Sequence, residues 1–355
     1  MGQHVLSTLP ATTGGDPAPV AITHRHCAHC ESGVTANLLS HHGLPLNEAM
    51  AFGIGAGLFF AYMPFLRVGS LPLTTYRTMP GLIFKRATRR LGVTVERQRF
   101  KHPQEATEAL DRMLDRGIPV GCQTSVYWLP YFPSSMRFHF NAHHIIIYGR
   151  QGEDYLVSDP IVEHPTVCPR RALLKARFAA GPLAPHGLMY HVASVPRDPD
   201  LKAAVIGGLR DTCRAMSVPV PFGGYRGVRL LARRMATWPQ RLGPEAASQC
   251  LGNVIRMQEE IGTGGGGFRF IFAAFLQQAS ELFHDERLAA CSEHMTLVGD
   301  QWREFALQAS RYCKGRSAAV TSTADLAAIV EGCADAERAV IKTLAKITPT
   351  LGRRA

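Results

Sequence analysis

The stretch AHHIIIYGRQGEDYLVSDP, residues 142–160, contains two runs of β-branched and aromatic residues on either side of a glycine turn. This pattern predicts a β-hairpin. The first strand opens with His143 and His144, and the second ends with Asp159 immediately before a proline. Because antiparallel strands pair in register, the hairpin places the acid beside a histidine that opens the other strand. The two histidines face opposite sides of the sheet, so only one of them can face a site.

The regions around this hairpin have two different textures. From Ile22 to about Pro196 helix and strand patterns alternate, with an amphipathic helix predicted over 103–115 between an N-terminal proline and Gly117. The Gly-rich apolar run at 49–66 predicts a buried helix and loop, since its glycines and one proline do not suit a membrane span. After Pro199, amphipathic periodicity predicts a bundle of helices. These cover residues 201–216, 225–238, 245–260, 268–282, 285–311 and 323–347.

We therefore predict an α+β fold with an appended helical domain. Residues 1–21, rich in Pro, Gly, Thr and Ala, form a loose leader without the pattern of a signal peptide. Residues 22–196 form the mixed domain, and residues 197–355 form the C-terminal helical domain. The boundary lies near VASVPRDPD, where Pro and Asp cluster.

Charge and cysteine content narrow the class of function. The chain has 355 residues and a formal net charge of +11, which favours an acidic partner without demanding one. The sequence has no run of five or more basic residues and no basic stripe interleaved with aromatics, so specific nucleic-acid binding is disfavoured. The nine cysteines are scattered along the chain, and four of them lie in apolar or amphipathic stretches: Cys122, Cys213, Cys250 and Cys291. This distribution is expected of reduced thiols in a cytoplasmic protein.

Cys30 is the candidate nucleophile. It stands immediately before a helix predicted to begin near Glu31, and a helix N-terminus stabilises a thiolate through its unpaired N–H groups and its dipole. A lone cysteine is more often a small buried hydrophobe. Together with a histidine at a strand start and Asp159 at a strand end, however, Cys30 follows the chain order of a papain-like Cys-His-Asp triad.

The segment HCESGVTANLLSHHGLPLNEAMAFGIGAGLFFAYMPF, residues 29–65, resembles the N-terminal domain of the butirosin-biosynthesis acyltransferase family. FHFNAHHIIIYG and LVSDP resemble its later His and Asp motifs. NVIRMQEEIGTGGGGFRFIFAAFLQQAS, residues 253–280, resembles the helical domain that accompanies it. The resemblance covers roughly residues 22–345. It implies a papain-like fold with Cys30 as nucleophile, His143 as base and Asp159 as orienting acid.

The resemblance also implies transfer of an acyl group from an acyl-carrier-protein thioester to an amine in specialised metabolism. No cofactor is expected beyond the phosphopantetheine of the carrier, and no resident metal. The partners expected are the acyl carrier protein and a small amine, with no nucleic acid and no stable membrane insertion; a homodimer is left open.

Three further residues are candidates for substrate binding, each with a structural alternative. Glu48 could bind the acceptor amine or be a solvated helix acid. Arg269, after the GTGGGG run at 262–267, could help bind the carrier's phosphate, although a plain interhelical loop is the commoner explanation. Tyr131, within YWLPYFP, could line an acyl channel or fill a core. Glu31, at the helix start, is interpreted as a partner of the helix dipole.

Two other functions compete with acyl transfer. The same triad would serve a peptidase or amidohydrolase with water as acceptor. A non-catalytic binding module for zinc or for the carrier protein is the other alternative, because HRHCAHC places several ligand-type side chains together and ends in a C-x-x-C half-site. The candidate ligands are His24, His26, Cys27, His29 and Cys30, with His41 and His42 on the following helix.

Overall fold

The computed structural model describes residues 18–316 and 320–352. These residues divide into two compact units that are discontinuous along the chain. One unit contains Glu96–His191 and the described residues up to His24; the other contains Arg25–Val95 and the described residues from Val192 onward. The predicted leader lies largely outside the described residues. The linear division into 22–196 and 197–355 stays a prediction.

The strands and helices are numbered along the chain. The strands are β1 (Leu58–Val68), β2 (Leu71–Arg77), β3 (Thr94–Gln98), β4 (Val120–Thr124), β5 (His143–Gln151), β6 (Asp154–Ser158), β7 (Thr166–Pro169) and β8 (Met189–Ser194). The helices are α1 (Cys30–His41), α2 (Glu48–Ile54), α3 (Leu82–Arg90), α4 (Pro103–Asp115), α5 (Arg170–Arg177), α6 (Leu201–Met216), α7 (Gly224–Met235), α8 (Trp238–Leu242), α9 (Pro244–Glu259), α10 (Arg269–Phe283), α11 (Glu286–Cys313) and α12 (Thr323–Ile347).

The first unit is built on a sheet with the strand order β3-β8-β4-β5-β6-β7. The predicted hairpin is present as β5 and β6, which pair antiparallel with Ile146 opposite Ser158. Alternate β5 side chains, Ile145 and Ile147, join a buried apolar cluster with Leu110 of α4 and Leu173 of α5. This packing fixes which face of β5 is apolar and therefore where its first residues point.

The second unit is mainly helical and contains the long helices predicted after Pro199. The predicted limits of α6 and α12 agree with the structure, and Ser322 begins α12 with a capping box to Asp325. The predicted α+β fold with a helical C-terminal region is confirmed. Among the described residues, no helix combines the length and the apolar character needed to cross a bilayer.

The prediction of a loop after the helix in residues 49–66 is wrong. The chain forms α2 and then the long strand β1, which pairs with β2 across a turn at Gly69, where φ is +62°. Aromatic residues in LFFAYMPFLRV favour a strand, and the following VGS supplies the turn. The glycines of FGIGAG allow neighbouring chain segments to approach closely. A Cβ on Gly53 would lie 2.0 Å from the Phe275 ring.

Candidate active site

The β5–β6 hairpin brings His143 and Asp159 together in the first unit. His143 is the first residue of β5, and Asp159 follows the last residue of β6. The Nε2 atom of His143 lies 2.6 Å from Oδ2 of Asp159, and both side chains are buried. His144 points elsewhere, with its Nδ1 atom 2.8 Å from the Tyr190 hydroxyl. Of the two histidines left open by the strand periodicity, the structure therefore pairs His143 with the acid.

Asp159 accepts two further hydrogen bonds. The hydroxyl of Tyr131 donates to Oδ2 at 2.9 Å, and the Ile161 backbone N–H donates to Oδ1 at 3.0 Å. Burial, and next the nearby Asp159 charge, raise the pKa of Tyr131 well above its ordinary value, so the phenol stays protonated as a donor. Sequence reasoning placed Tyr131 along an acyl channel or in a core and missed this bond to the acid.

Cys30 is the first residue of α1 in the second unit. His29 is the N-cap, and its Nδ1 atom lies 2.9 Å from the Ser32 hydroxyl oxygen and accepts from the Ser32 N–H at 3.4 Å. The Cys30 side chain is 5% exposed. The thiol thus stands at the positive end of a helix, in the first turn, where a developing thiolate is stabilised by backbone N–H groups and the dipole.

Glu48, predicted as a ligand of the acceptor amine, holds the turn before Cys30. Its carboxylate accepts the backbone N–H groups of Ala28 (3.0 Å) and His29 (2.7 Å) and the Ser32 hydroxyl (3.2 Å). Burial raises the pKa of Glu48, and these donors partly offset the effect. The three bonds fix the path of the chain into α1 and give Glu48 a structural task beside the candidate nucleophile.

Glu31, the residue after Cys30 in α1, is fully buried, and its carboxylate binds residues outside α1. Its carboxylate forms an ion pair with Arg77 (2.8 Å) and accepts the Phe84 backbone N–H (3.1 Å) in the first turn of α3. The N-cap residue of α3 is Gly81, which has no side chain to do this. Glu31 therefore fixes α1, β2 and α3 relative to one another at the position adjoining Cys30.

Arg269 and the last part of the glycine run, residues 265–267, are buried in the second unit, whereas Gly264 is exposed. Arg269 forms an ion pair with Glu337 at 2.6 Å, both side chains are 0% exposed, and Glu337 also accepts from the Trp302 indole at 2.7 Å. In the glycine run, the Gly266 N–H donates to the Glu259 carboxylate. A carboxylate thus takes a donor that the predicted phosphate would have used. These contacts favour a packing role for Arg269. A contact between Arg269 and the substrate stays a prediction.

The candidate zinc ligands of HRHCAHC are directed to several different partners. His24 lies 2.8 Å from the Ser158 hydroxyl and 3.0 Å from the Val162 carbonyl oxygen, while the Cys27 thiol lies 3.5 Å from the Arg25 carbonyl. Within residues 18–316 and 320–352, no three His, Cys, Asp or Glu side chains are grouped as metal ligands.

The structure therefore groups the predicted residues in two sets. His143, Asp159 and Tyr131 meet in the first unit. In the second unit, Glu48 secures the turn before Cys30, while Arg269 belongs to a separate buried network. The signal that could have found Tyr131 is weak, because its partner is 28 positions away along the chain.

Comparison with known proteins gives family matches over most of the chain. Residues 29–160 match the model described as "Butirosin biosynthesis protein H, N-terminal", and residues 171–344 match a domain of unknown function, DUF4872. A search of curated proteins finds no match. Among solved structures, a putative C39-like peptidase from Bacillus anthracis is similar at 14% identity and a TM-score of 0.35, covering 51% of this chain and 100% of its own.

Proposed function

We propose that this chain, whose N-terminal domain belongs to the butirosin biosynthesis protein H family, is a cysteine-dependent acyltransferase of specialised-metabolite biosynthesis. The donor is an acyl-carrier-protein thioester, the acceptor is an amine, and the product is an amide. The observation that supports this best is the buried His143–Asp159 pair, in a chain whose family match begins one residue before Cys30.

The first half-reaction forms an acyl-enzyme. His143 removes the thiol proton, and the Cys30 sulfur attacks the thioester carbonyl. The new C–S bond replaces the bond to the phosphopantetheine sulfur, which leaves as a thiol after taking the proton back. Because one thioester replaces another, the step is nearly isoenergetic and needs no nucleotide. Asp159, bound at Nε2, makes Nδ1 the basic nitrogen of His143.

The second half-reaction passes the acyl group to the amine. The amine nitrogen attacks the acyl-Cys30 carbonyl, the C–S bond breaks, and the proton lost by nitrogen returns to the Cys30 sulfur through His143. The amide is more stable than the thioester, so this step drives the overall transfer. The net charge of +11 supports an acidic carrier protein as the partner that delivers the acyl thioester.

Intact-protein mass spectrometry tests the nucleophile. The protein is mixed with a panel of acyl-carrier thioesters, and one acyl increment is expected on the wild type and on Cys27→Ser. Cys30→Ser should carry no thiol-bound increment. An increment of equal size and rate on Cys30→Ser would overturn the assignment of the nucleophile.

A second measurement separates transfer from hydrolysis. The acylated enzyme is isolated and its decay followed with and without a panel of small amines. Acyl transfer predicts decay that accelerates with amine concentration and yields amide. Equal decay rates, with free acid as the product, would instead identify water as the acceptor and make the protein a hydrolase.

A further inference from the structure

The acid of the His143–Asp159 pair has a second side-chain donor. Tyr131 Oη and His143 Nε2 both bond to Oδ2 of Asp159, at 2.9 Å and 2.6 Å. The other carboxylate oxygen is held by the Ile161 N–H. Asp159 is 0% exposed, so these groups, and not bulk water, determine the orientation and basicity of the carboxylate.

We propose that Tyr131 is a positioning residue of the reaction, acting on His143 through Asp159. This inference rests on the proposed function for its catalytic meaning. Tyr131 holds Oδ2 of Asp159 toward the imidazole of His143. Its hydroxyl also draws on the negative charge of Asp159, which would otherwise act on the imidazolium of His143 as its one side-chain partner. Its hydroxyl therefore limits how strongly His143 holds a proton, which keeps the base able to give that proton back in each half-reaction.

The other groups around this network do not supply the same effect. Burial, and next Asp154, raise the pKa of the Cys168 thiol to about 12, so the thiol near Tyr131 stays neutral. His24 bonds to the side chain of Ser158, the residue before Asp159, and to the Val162 carbonyl. His144 on the same strand bonds to Tyr190. Tyr131 is thus a side chain that donates to Asp159 and can be changed without altering His143 itself.

The test compares Tyr131→Phe with a matched control, Tyr155→Phe. Tyr155 also donates from a buried phenol to an aspartate, Asp111, at 2.8 Å in the same unit, but that acid is not a partner of His143. Both variants lose one hydroxyl and keep the ring. The readout is the titration of the His143 ring by ¹⁵N-histidine NMR, which does not require turnover.

In Tyr131→Phe the midpoint of the His143 titration should rise by about 0.5 to 1 pH unit, because the Asp159 charge is then shared with one side chain fewer. In Tyr155→Phe it should stay within about 0.2 unit. Placing 3-fluorotyrosine at position 131 makes the phenol a stronger donor and should move the midpoint down. An unchanged midpoint in both position-131 variants, or an equal shift in the Tyr155→Phe control, would overturn the proposal.

The kinetic arm keeps this inference separate from the proposed function. If the chain is an acyltransferase, the pH profile of kcat for Tyr131→Phe should shift in the same direction as the NMR midpoint, with KM little changed. A protein that shows the NMR shift but forms no acyl-enzyme would retain the Tyr131 network and refute the acyltransferase. An active acyltransferase without the NMR shift would retain the proposed function and refute the role of Tyr131.

Discussion

Replacing Arg77 with methionine should strongly destabilise the unit that carries Cys30. Arg77 is the counter-ion of Glu31, whose side chain is 0% exposed, whereas that of Arg77 is 10% exposed. Methionine keeps most of the apolar volume of the arginine stem but has no charge. Glu31 would then keep the Phe84 N–H as a donor and lose the guanidinium that faces its other oxygen.

The size of the effect follows from desolvation. Removing one partner of a buried pair costs about 3–5 kcal/mol because the remaining charge is left uncompensated. Arg77 retains some contact with solvent, which allows water to reach part of the site, so we expect about 3 kcal/mol. Glu31→Gln should cost less, about 1–2 kcal/mol, because the amide oxygen can still accept from Phe84 and the stranded arginine can reach water. The double variant should be less destabilised than the sum of the two single variants.

Urea unfolding of the full chain, followed by circular dichroism, measures these differences. Arg150→Met is the matched control, because its nearer partner, Asp115, is half-exposed and its second partner, Asp111, keeps an ion pair with Arg170; the variant should lose no more than about 1 kcal/mol. A loss below about 1 kcal/mol in Arg77→Met would refute the reasoning. So would strict additivity of Arg77→Met and Glu31→Gln, since that would mean the two side chains do not interact in the folded protein.

Two further predictions concern the histidine pair and the second thiol. His143→Gln should slow acyl transfer from a carrier thioester by about 100-fold or more, whereas His144→Gln, which changes the residue bound to Tyr190, should stay within about threefold; equal losses would contradict the assignment of His143 as base. Burial, and next the charge of Glu48, raise the pKa of Cys27 from 9.0 to about 12, so its thiolate fraction at pH 8 should be about 1000-fold below that of an ordinary thiol. Iodoacetamide labelling of Cys27, read by peptide mass spectrometry, should accordingly rise about tenfold per pH unit from 8 to 11, and rapid labelling at pH 8 would contradict this.

Local patterns predicted most of the regular structure. The limits of α4 were available because Pro103 opens the helix and Gly117, at φ +70°, follows its end. The β5–β6 hairpin could be predicted because two runs of β-branched and aromatic residues flank one turn. The β1–β2 hairpin was missed, because the loop character of the glycines in FGIGAG was extended to the apolar segment that follows them.

Long-range contacts of the candidate site could not be predicted from the sequence. Glu31 and Arg77 are 46 positions apart, and nothing in either local pattern indicates that one is the counter-ion of the other. The hydroxyl of Tyr131 is equally ambiguous, since an aromatic residue between prolines suits a core as well as a network. Cys30, His143 and Asp159 were selected by residue type and chain order, whereas their supporting partners depend on the tertiary fold.

The discontinuous second unit has a consequence for synthesis on the ribosome. The chain leaves this unit at Val95 and returns at Val192. The segment with Cys30 therefore emerges together with α2 and α3 but long before Phe268, whose ring packs edge-on against that of His29, the N-cap of α1. At about 5–20 residues per second, the 173 residues from 96 to 268 take about 9–35 s to translate. During that time the turn before Cys30 lacks Phe268, so a nascent chain halted before that residue would carry an incomplete turn, and a chaperone that shields apolar segments would have a binding site there.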